Sequence, residues 1–119
     1  MFPLNLSLNR RHESKHLTIS CPLEKCSFEG KTQYISPSDL CMEVPTTQIK
    51  VTLLKLLNQD VTVETGNVTV TGTVKGYTIE MDRYLIGILI SKPDRATWKR
   101  FVAESPRPSF LTEIRHVSP

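Results

Sequence analysis

The chain has 119 residues, a length typical of one domain that buries a modest core without cross-links. Its 15 Lys and Arg against 12 Asp and Glu give a formal charge of +3. This mild excess falls short of the clustered basic charge of proteins whose main partner is duplex DNA, so no DNA binding is predicted. The charge permits an anionic ligand without requiring one.

Three cysteines, Cys21, Cys26 and Cys41, form an odd set in which one pair is close in sequence. The pattern lacks the second ligand pair of a zinc site and the even count of a disulfide framework. We therefore predict no metal site. The cysteines are interpreted as small buried hydrophobic residues in a reducing cytosol.

The apolar start of the chain breaks off after eight residues, and its arginines follow the apolar run rather than precede it. That order is wrong for a secretory signal. No run approaches the roughly 18 apolar residues that cross a bilayer. The sequence thus predicts a cytoplasmic protein without a membrane span, in which the N-glycosylation sequons at Asn5 and Asn67 have no role.

Residues 1–9 are predicted to form an N-terminal arm in which apolar and polar residues alternate. Two fates stay open for the arm: addition to a sheet edge, or docking on a partner. The basic segment from Asn9 to His16 has no periodicity and is predicted to be an exposed loop. It is either a solvated charged loop or a flexible clamp whose Arg side chains close on a phosphate-bearing ligand. The apolar residues of the arm are Phe2, Leu4, Leu6 and Leu8.

From His16 the chain changes to the alternating pattern of β-strands bounded by turn residues. A bulge is expected at Gly30, and a close approach of another chain segment at Gly87. Six or seven antiparallel strands with a turn roughly every ten residues predict a small β-barrel or sandwich. The predicted strands are 16–21, 26–35, 40–44, 49–57, 61–64, 68–80 and 84–90.

After Ile90 the apolar period changes from 2 to 3.6, which predicts a helix that ends near Ser105. Trp98, Phe101 and Val102 share one face of this helix. Trp98 is interpreted as a lid over an open end of the barrel, in preference to a ligand-stacking role. Residues 106–119 are predicted to be a C-terminal tail, either a short amphipathic helix or a docking peptide.

The turn Ser36-Pro37-Ser38-Asp39 joins the second and third predicted strands. Pro37 fixes its own φ, and the three flanking side chains offer oxygens for local backbone hydrogen bonds. A turn of this kind presents hydroxyls and N–H groups at the rim of a sheet, where a rigid scaffold holds binding residues. We therefore take it as the candidate binding site.

The order of these features resembles the PilZ domain, the bacterial receptor module for the second messenger cyclic di-GMP. The resemblance covers about Arg10 to Glu104 and implies a six-stranded antiparallel β-barrel with a C-terminal α-helix, over residues 10–105. It is carried by the basic loop, Ile-Ser-Pro-Ser at 35–38, the apolar strand at 40–45, Val-Thr-Gly-Thr-Val at 70–74 and Leu-Ile-Gly-Ile at 85–88.

The resemblance also implies a ligand site built from two motifs, Arg-x-x-x-Arg in the loop and Asp/Asn-x-Ser-x-x-Gly at a strand turn. Arg11 and Ser36 match these motifs strictly, whereas Lys15 keeps the charge of the second Arg and loses its planar fork. Arg10 is adjacent, at a different register. If cyclic di-GMP binds, the implied binding residues are Arg10, Arg11, Lys15, Tyr34, Ser36, Ser38 and Asp39.

Two further departures fall in the second motif. Tyr34 replaces the acidic or amide residue, which removes an acceptor for a guanine edge but leaves a ring that can stack on a base. Asp39 replaces the glycine and puts a carboxylate near the expected phosphates. Each lost charge-assisted contact is worth about 1.5–3 kcal/mol, so several losses weaken binding by several powers of ten.

We therefore predict a degenerate member of the family: a bacterial signalling adaptor that acts on a protein partner, with weak or no cyclic di-GMP binding. The alternative is a functional cyclic di-GMP receptor that controls motility, pili or exopolysaccharide. An enzyme is not predicted. The histidines, His12, His16 and His116, lie in the loop and tail without a nucleophile elbow, a phosphate-binding glycine loop or metal spacing around them.

Overall fold

A computed structural model describes residues 11–104 of the chain. Most of these residues lie in antiparallel strands, and the last ten form a helix. The strands are β1 (Arg11–His12), β2 (His16–Cys21), β3 (Cys26–Ile35), β4 (Asp39–Pro45), β5 (Asp60–Thr65), β6 (Val68–Glu80) and β7 (Arg83–Ile90). The helices are α1 (Leu53–Leu56) and α2 (Arg95–Glu104), with 3-10 turns at Pro22–Glu24, Thr46–Gln48 and Lys92–Asp94.

Six strands close into a barrel. The strand order in the sheet is β1-β3-β2-β5-β6-β7-β4. A further pairing of β3 with β4 closes the six strands from β2 to β7 into a ring. The first half of β3 pairs with β2 and its second half with β4, so this long strand makes the closure. The prediction of a six-stranded antiparallel barrel with a C-terminal helix is confirmed.

Alternation along the strands fills the barrel interior. In β2, Leu17, Ile19 and Cys21 are fully buried while the residues between them reach the surface. One end of the core is closed by α2, whose Trp98 is fully buried and whose Val102 is nearly so. The interpretation of Trp98 as a lid over the barrel end is therefore confirmed.

The strand predicted at 49–57 is wrong. This stretch instead contains the helical turn α1, in which Leu53 and Leu56 are buried and Leu54 is 68 % exposed. Burial at i and i+3 is the helical spacing, and it lets two leucines reach the core from one turn. The adjacent leucine pairs at 53–54 and 56–57 concealed that spacing.

The bulge predicted at Gly30 is also misplaced. The β2–β3 register is regular through Gly30, and the irregularity lies two to four residues later, between Thr32 and Tyr34. Gly30 is required for a different reason. A Cβ at this position would stand 2.3 Å from the carbonyl oxygen of Glu43, so β4 passes too close for any side chain.

Helix α2 is fastened to the barrel by polar contacts near its start. The backbone N–H and the hydroxyl of Thr71 each donate to Asp94 Oδ2 at 2.7 Å. These hydrogen bonds lower the pKa of Asp94 below its ordinary value of 3.8, and the bond from the Thr71 hydroxyl has the larger effect. Arg95 also donates to the carbonyl oxygen of Ile90 at 2.6 Å.

Gly30→Ala is expected to lower the free energy of unfolding by at least about 2 kcal/mol, because β3 and β4 must separate to admit the methyl group. The control is Gly66→Asn, at a hairpin turn with φ +56° and no atom within 4 Å of an added Cβ. It should cost less than about 1 kcal/mol, since Asn tolerates this backbone region. Urea unfolding measures both. Equal losses would contradict the close approach at Gly30.

Asp94→Asn is expected to flatten the acid dependence of stability. A carboxylate with a lowered pKa stabilises the fold fully above its unfolded pKa, and this contribution disappears as pH falls through the folded pKa. The wild-type free energy of unfolding should therefore drop more than that of Asp94→Asn between about pH 5 and pH 2. Urea titrations at both pH values give the comparison, with Asp82→Asn, in an exposed turn, as the charge control. Parallel pH profiles for wild type and Asp94→Asn would contradict it.

Candidate functional site

The backbone brings the two predicted ligand motifs to one region of β3. In β1, Arg11 pairs with Ile35 and His12 with Tyr34, so the basic segment runs beside the start of the Ser36 turn. Lys15 follows, with its carbonyl oxygen accepting from the Thr32 N–H at 2.9 Å. The prediction of an irregular loop from Asn9 to His16 is wrong at β1, because a two-residue strand is too short to show a period.

Several predicted residues lie outside this description. Arg10, the predicted arm at residues 1–9 and the predicted tail at 106–119 lie outside the described residues. Arg11 is placed by its backbone pairing. The roles of Arg10 and Arg11 in a phosphate clamp stay predictions.

The Ser36 turn is closed by its own hydrogen bonds. The hydroxyl of Ser36 accepts from the N–H groups of Ser38 at 3.2 Å and Asp39 at 3.1 Å, and it donates to Asp39 Oδ1. The N–H of Ser36 donates to the Asp39 carbonyl oxygen at 2.9 Å. Ser36 is 0 % exposed and Asp39 is 9 % exposed. Their polar atoms therefore stabilise the turn itself.

Helix α2 and strand β7 each donate one hydrogen bond to a carbonyl oxygen of this turn. Trp98 Nε1 donates to the carbonyl oxygen of Ser36 at 2.7 Å, and the N–H of Ile90 donates to the carbonyl oxygen of Ser38 at 2.9 Å. The expectation that the turn presents its hydroxyls at an open rim is thus wrong for Ser36, because the helix covers it. Ser38 is half-buried.

Two other predicted ligand side chains are Tyr34, on β3, and Lys15, whose backbone bonds to β3 at Thr32. Tyr34 is half-buried, and its ring centroid is 5.2 Å from that of His12. The Lys15 ammonium lies 3.7 Å from a carboxylate oxygen of Glu13, so its charge is partly balanced. The structure therefore gathers the backbones of the two motifs but buries Ser36 and Asp39 in contacts with each other. Whether any of these residues binds a ligand stays a prediction.

A charged patch beside this region was missed from the sequence. Glu43 lies between Lys31, at 3.6 Å, and Arg83, which also donates to Glu80 at 3.0 Å. The Glu80 hydrogen bond, followed by the charge of Glu43, raises the pKa of Arg83. Lys31, Glu43 and Arg83 border two clefts of about 520 and 360 Å³ on the barrel wall. They occupy scattered outward positions in three strands, so no local motif marks them.

Two cations, Lys31 and Arg83, pair with two carboxylates, Glu43 and Glu80, so the charges balance and give the patch no general preference for anions. Among residues 11–104, no three His, Cys, Asp or Glu side chains are grouped so that they could hold a metal ion. Over the same residues, no helix is both long enough and apolar enough to span a bilayer.

Ser36→Ala is expected to lower the free energy of unfolding by about 2 kcal/mol, because the buried Asp39 N–H, the part-buried Ser38 N–H and the Asp39 carboxylate lose their partner. Ser38→Ala removes a hydroxyl from the same turn without touching those bonds and should cost less than about 0.5 kcal/mol. Chemical denaturation of both variants measures the difference. Equal effects would contradict a structural role for the Ser36 hydroxyl.

Comparison with known proteins shows the fold and no family. No family model matches the chain, and no curated protein matches it. Among solved structures, MrkH from K. pneumonia in complex with c-di-GMP is similar, with a TM-score of 0.63 and 10% identity over 92% of this chain. Apo MrkH gives a TM-score of 0.57 and 15% identity over 91% of this chain.

The chain spans about half the length of these structures, 53% of the complex and 51% of the apo form. At this identity the likeness is one of fold. That fold is the six-stranded barrel with a C-terminal helix that the PilZ resemblance implies, so the chain has a PilZ-like fold.

Proposed function

We propose that this chain is a bacterial PilZ-like regulatory adaptor that acts by contact with a protein partner and binds cyclic di-GMP weakly or not at all. The proposed module covers residues 10–105 and works in the cytoplasm without enzymatic activity. A fold shared with a protein crystallised with c-di-GMP supports a regulatory role of this kind.

One observation carries the proposal of weak binding. Ser36 is fully buried, its carbonyl oxygen accepts a hydrogen bond from Trp98, and its hydroxyl makes its hydrogen bonds within the turn. A ligand that used this hydroxyl would have to displace α2 or leave two N–H groups unpaired, at a cost of about 1–3 kcal/mol for each buried group. The turn is thus better suited to closing the barrel than to holding a nucleotide.

The replaced motif residues support the same conclusion. Asp39 brings a carboxylate to the turn, and Lys15 lies beside Glu13 rather than standing as an isolated cation. Tyr34 offers a ring where a guanine acceptor is expected. Each change removes or opposes a contact that a doubly charged dinucleotide needs.

The alternative function is a working cyclic di-GMP receptor. It is favoured by the gathering of β1, Lys15 and the Ser36 turn along the second half of β3. In that case Arg10 and Arg11 would clamp the phosphates, with the other residues named above completing the site. Binding would require the turn or α2 to move.

Calorimetric titration of the full chain with cyclic di-GMP separates the two functions. We expect a Kd weaker than about 100 µM for wild type and no change in Arg11→Ala. The triple variant Lys15→Arg, Tyr34→Asp, Asp39→Gly restores both motifs and should bind at least about tenfold more tightly, a gain of about 1.4 kcal/mol. Submicromolar wild-type affinity that Arg11→Ala abolishes would overturn the proposal.

A pull-down from native cells with the full chain as bait provides the second readout. The adaptor should capture the same partner with and without added cyclic di-GMP. A receptor would gain or lose its partner when the nucleotide is added.

A further inference from the structure

Two of the three cysteines face each other across the hairpin of β2 and β3. Cys21 is the last residue of β2, Cys26 is the first residue of β3, and the two are directly paired in the antiparallel register. Residues directly opposite one another in neighbouring strands share a face of the sheet. Cys21 belongs to the core and Cys26 packs against it, so both side chains lie on the inner face. They are here called the cysteine pair.

The third cysteine, Cys41, is too far away to join this pair. It lies opposite Tyr34, which is eight residues along β3 from Cys26, a distance of about 26 Å in an extended strand. Its side chain also points to the outer face, since its neighbours Leu40 and Met42 are in the core. None of the three cysteines forms a disulfide in the structure. The strand register therefore selects one pair of cysteines out of three possible ones.

The backbone spacing at the cysteine pair is compatible with a disulfide. Directly opposed residues of antiparallel strands have Cα atoms about 4.5–5.5 Å apart. Disulfides join Cα atoms that are about 4.4–6.8 Å apart. The Cβ atoms of opposed residues are about 4.5–5.5 Å apart, so forming the bond requires them to move closer by about 1 Å.

The loop that joins the two strands can absorb this movement. It consists of residues 22–25 and forms a 3-10 turn, in which the N–H of Lys25 donates to the carbonyl oxygen of Pro22 at 3.1 Å. No residue of this loop is buried, and Leu23 is 76 % exposed. Because the loop contributes no residue to the core, the two strand ends can approach each other with little movement of the barrel interior.

We propose that the cysteine pair is an oxidation site, at which a peroxide converts the two thiols to an intramolecular disulfide that ties β2 to β3. The peroxide reacts first with Cys26, because Cys26 is half-buried whereas Cys21 is 0 % exposed. Cys21 is then the resolving thiol, held directly opposite. The site is separate from the Ser36 turn, which follows the other end of β3, so it does not depend on the adaptor role.

The reaction has two steps. In the first, the Cys26 sulfur loses its proton to solvent and attacks one oxygen of hydrogen peroxide, so that an S–O bond forms, the O–O bond breaks and hydroxide leaves. In the second, the Cys21 sulfur attacks the sulfur of this sulfenic acid. The S–S bond forms, the S–O bond breaks, and the hydroxyl group leaves as water with the Cys21 proton. The two thiols together lose two electrons, and the peroxide gains them as it becomes two molecules of water.

The surroundings of Cys26 make the first step slow. Burial, followed by Cys21 and then Glu24, raises the pKa of Cys26 above its ordinary value of 9.0. The thiolate is the form that reacts with peroxide, so only a small fraction of Cys26 is reactive near neutral pH. The cysteine pair therefore stays reduced in a reducing compartment and is oxidised when exposure to peroxide is sustained.

Trypsin gives a direct readout, because it cuts after Lys25, between the two cysteines. We would treat the full chain with hydrogen peroxide at about pH 8.5, where more Cys26 is ionised. The protein is then unfolded, the remaining thiols are blocked with N-ethylmaleimide, and the chain is digested without reduction. A disulfide between Cys21 and Cys26 joins the tryptic peptides 16–25 and 26–31 into one mass.

This linked peptide should contain more than about half of the recovered Cys26, because the resolving thiol lies directly opposite. Cys41 is in the separate tryptic peptide 32–50 and is 3 % exposed. It should be recovered as the N-ethylmaleimide adduct, since a buried thiol reacts slowly with peroxide.

Cys21→Ala removes the resolving thiol, and Cys41→Ala is the matched control that leaves the cysteine pair intact. In Cys21→Ala, at least about tenfold more Cys26 should be recovered as sulfinic acid than in wild type, because no thiol captures the sulfenic acid. Cys41→Ala should form the linked peptide to the wild-type extent. Circular dichroism checks that both variants are folded.

The bond must also fit the folded chain, and this is measured without any variant. The oxidised chain should unfold at a urea concentration at least about 0.3 M higher than the reduced chain, because a disulfide that fits the native register restricts the unfolded state.

Any one of three results would overturn the proposal. The first is oxidation or blocking of Cys26 without the linked peptide. The second is a disulfide that joins Cys26 to Cys41 or to a second chain. The third is an unchanged or lower urea midpoint for the oxidised chain, which would show that the bond forms only after the hairpin opens.

Discussion

The hydrogen bond from Trp98 to the carbonyl oxygen of Ser36 connects the C-terminal helix α2 to the turn between β3 and β4. Trp98 is large enough to close one end of a six-stranded barrel, but its indole N–H needs a partner once it is buried. The turn between β3 and β4 supplies that partner. Because a buried turn must satisfy its own polar groups as well, the Ser36 hydroxyl takes up the N–H groups of Ser38 and Asp39.

This arrangement links stability to function. The atoms that would meet a ligand in the Ser36 turn are the atoms that stabilise the turn. The apolar core of the barrel is built from other residues, so it does not depend on the chemistry of the turn. Here the core residues are those of a closed barrel, whereas the turn and the basic segment depart from the ligand motifs that the PilZ resemblance implies. The proposed adaptor role rests on that combination.

The outer surface offers two features of different chemistry. The patch of Lys31, Glu43, Glu80 and Arg83 has balanced charges, whereas Cys41 and Leu85 form a small buried apolar pair. The first is suited to salt-sensitive contact with another molecule. The second lies on the outer face, since Leu40 and Met42 on either side of Cys41 are in the core, and the Tyr34 ring packs against it.

Much of the fold could be predicted from the sequence because it is encoded locally. The alternation in 16–21 and 68–80 identified those strands, and Trp98 with Val102 marked the buried face of α2. The helical turn at Leu53–Leu56 was missed, because adjacent leucines at 53–54 and 56–57 fit the period of a strand as well as that of a helix. The candidate site was predicted less well. The sequence motif identified Ser36, but it did not show that α2 packs on Ser36 through Trp98.

The amino-acid sequence by itself determined the strands, the helix, the turn and the replaced motif residues, since each depends on neighbours in the chain. Only the tertiary structure decided that β3 closes the ring on β4, that Gly30 makes room for Glu43, and that Cys41 is buried on an outer face. These features depend on which distant segments meet. A local pattern specifies which residues must be buried, but not which segment buries them.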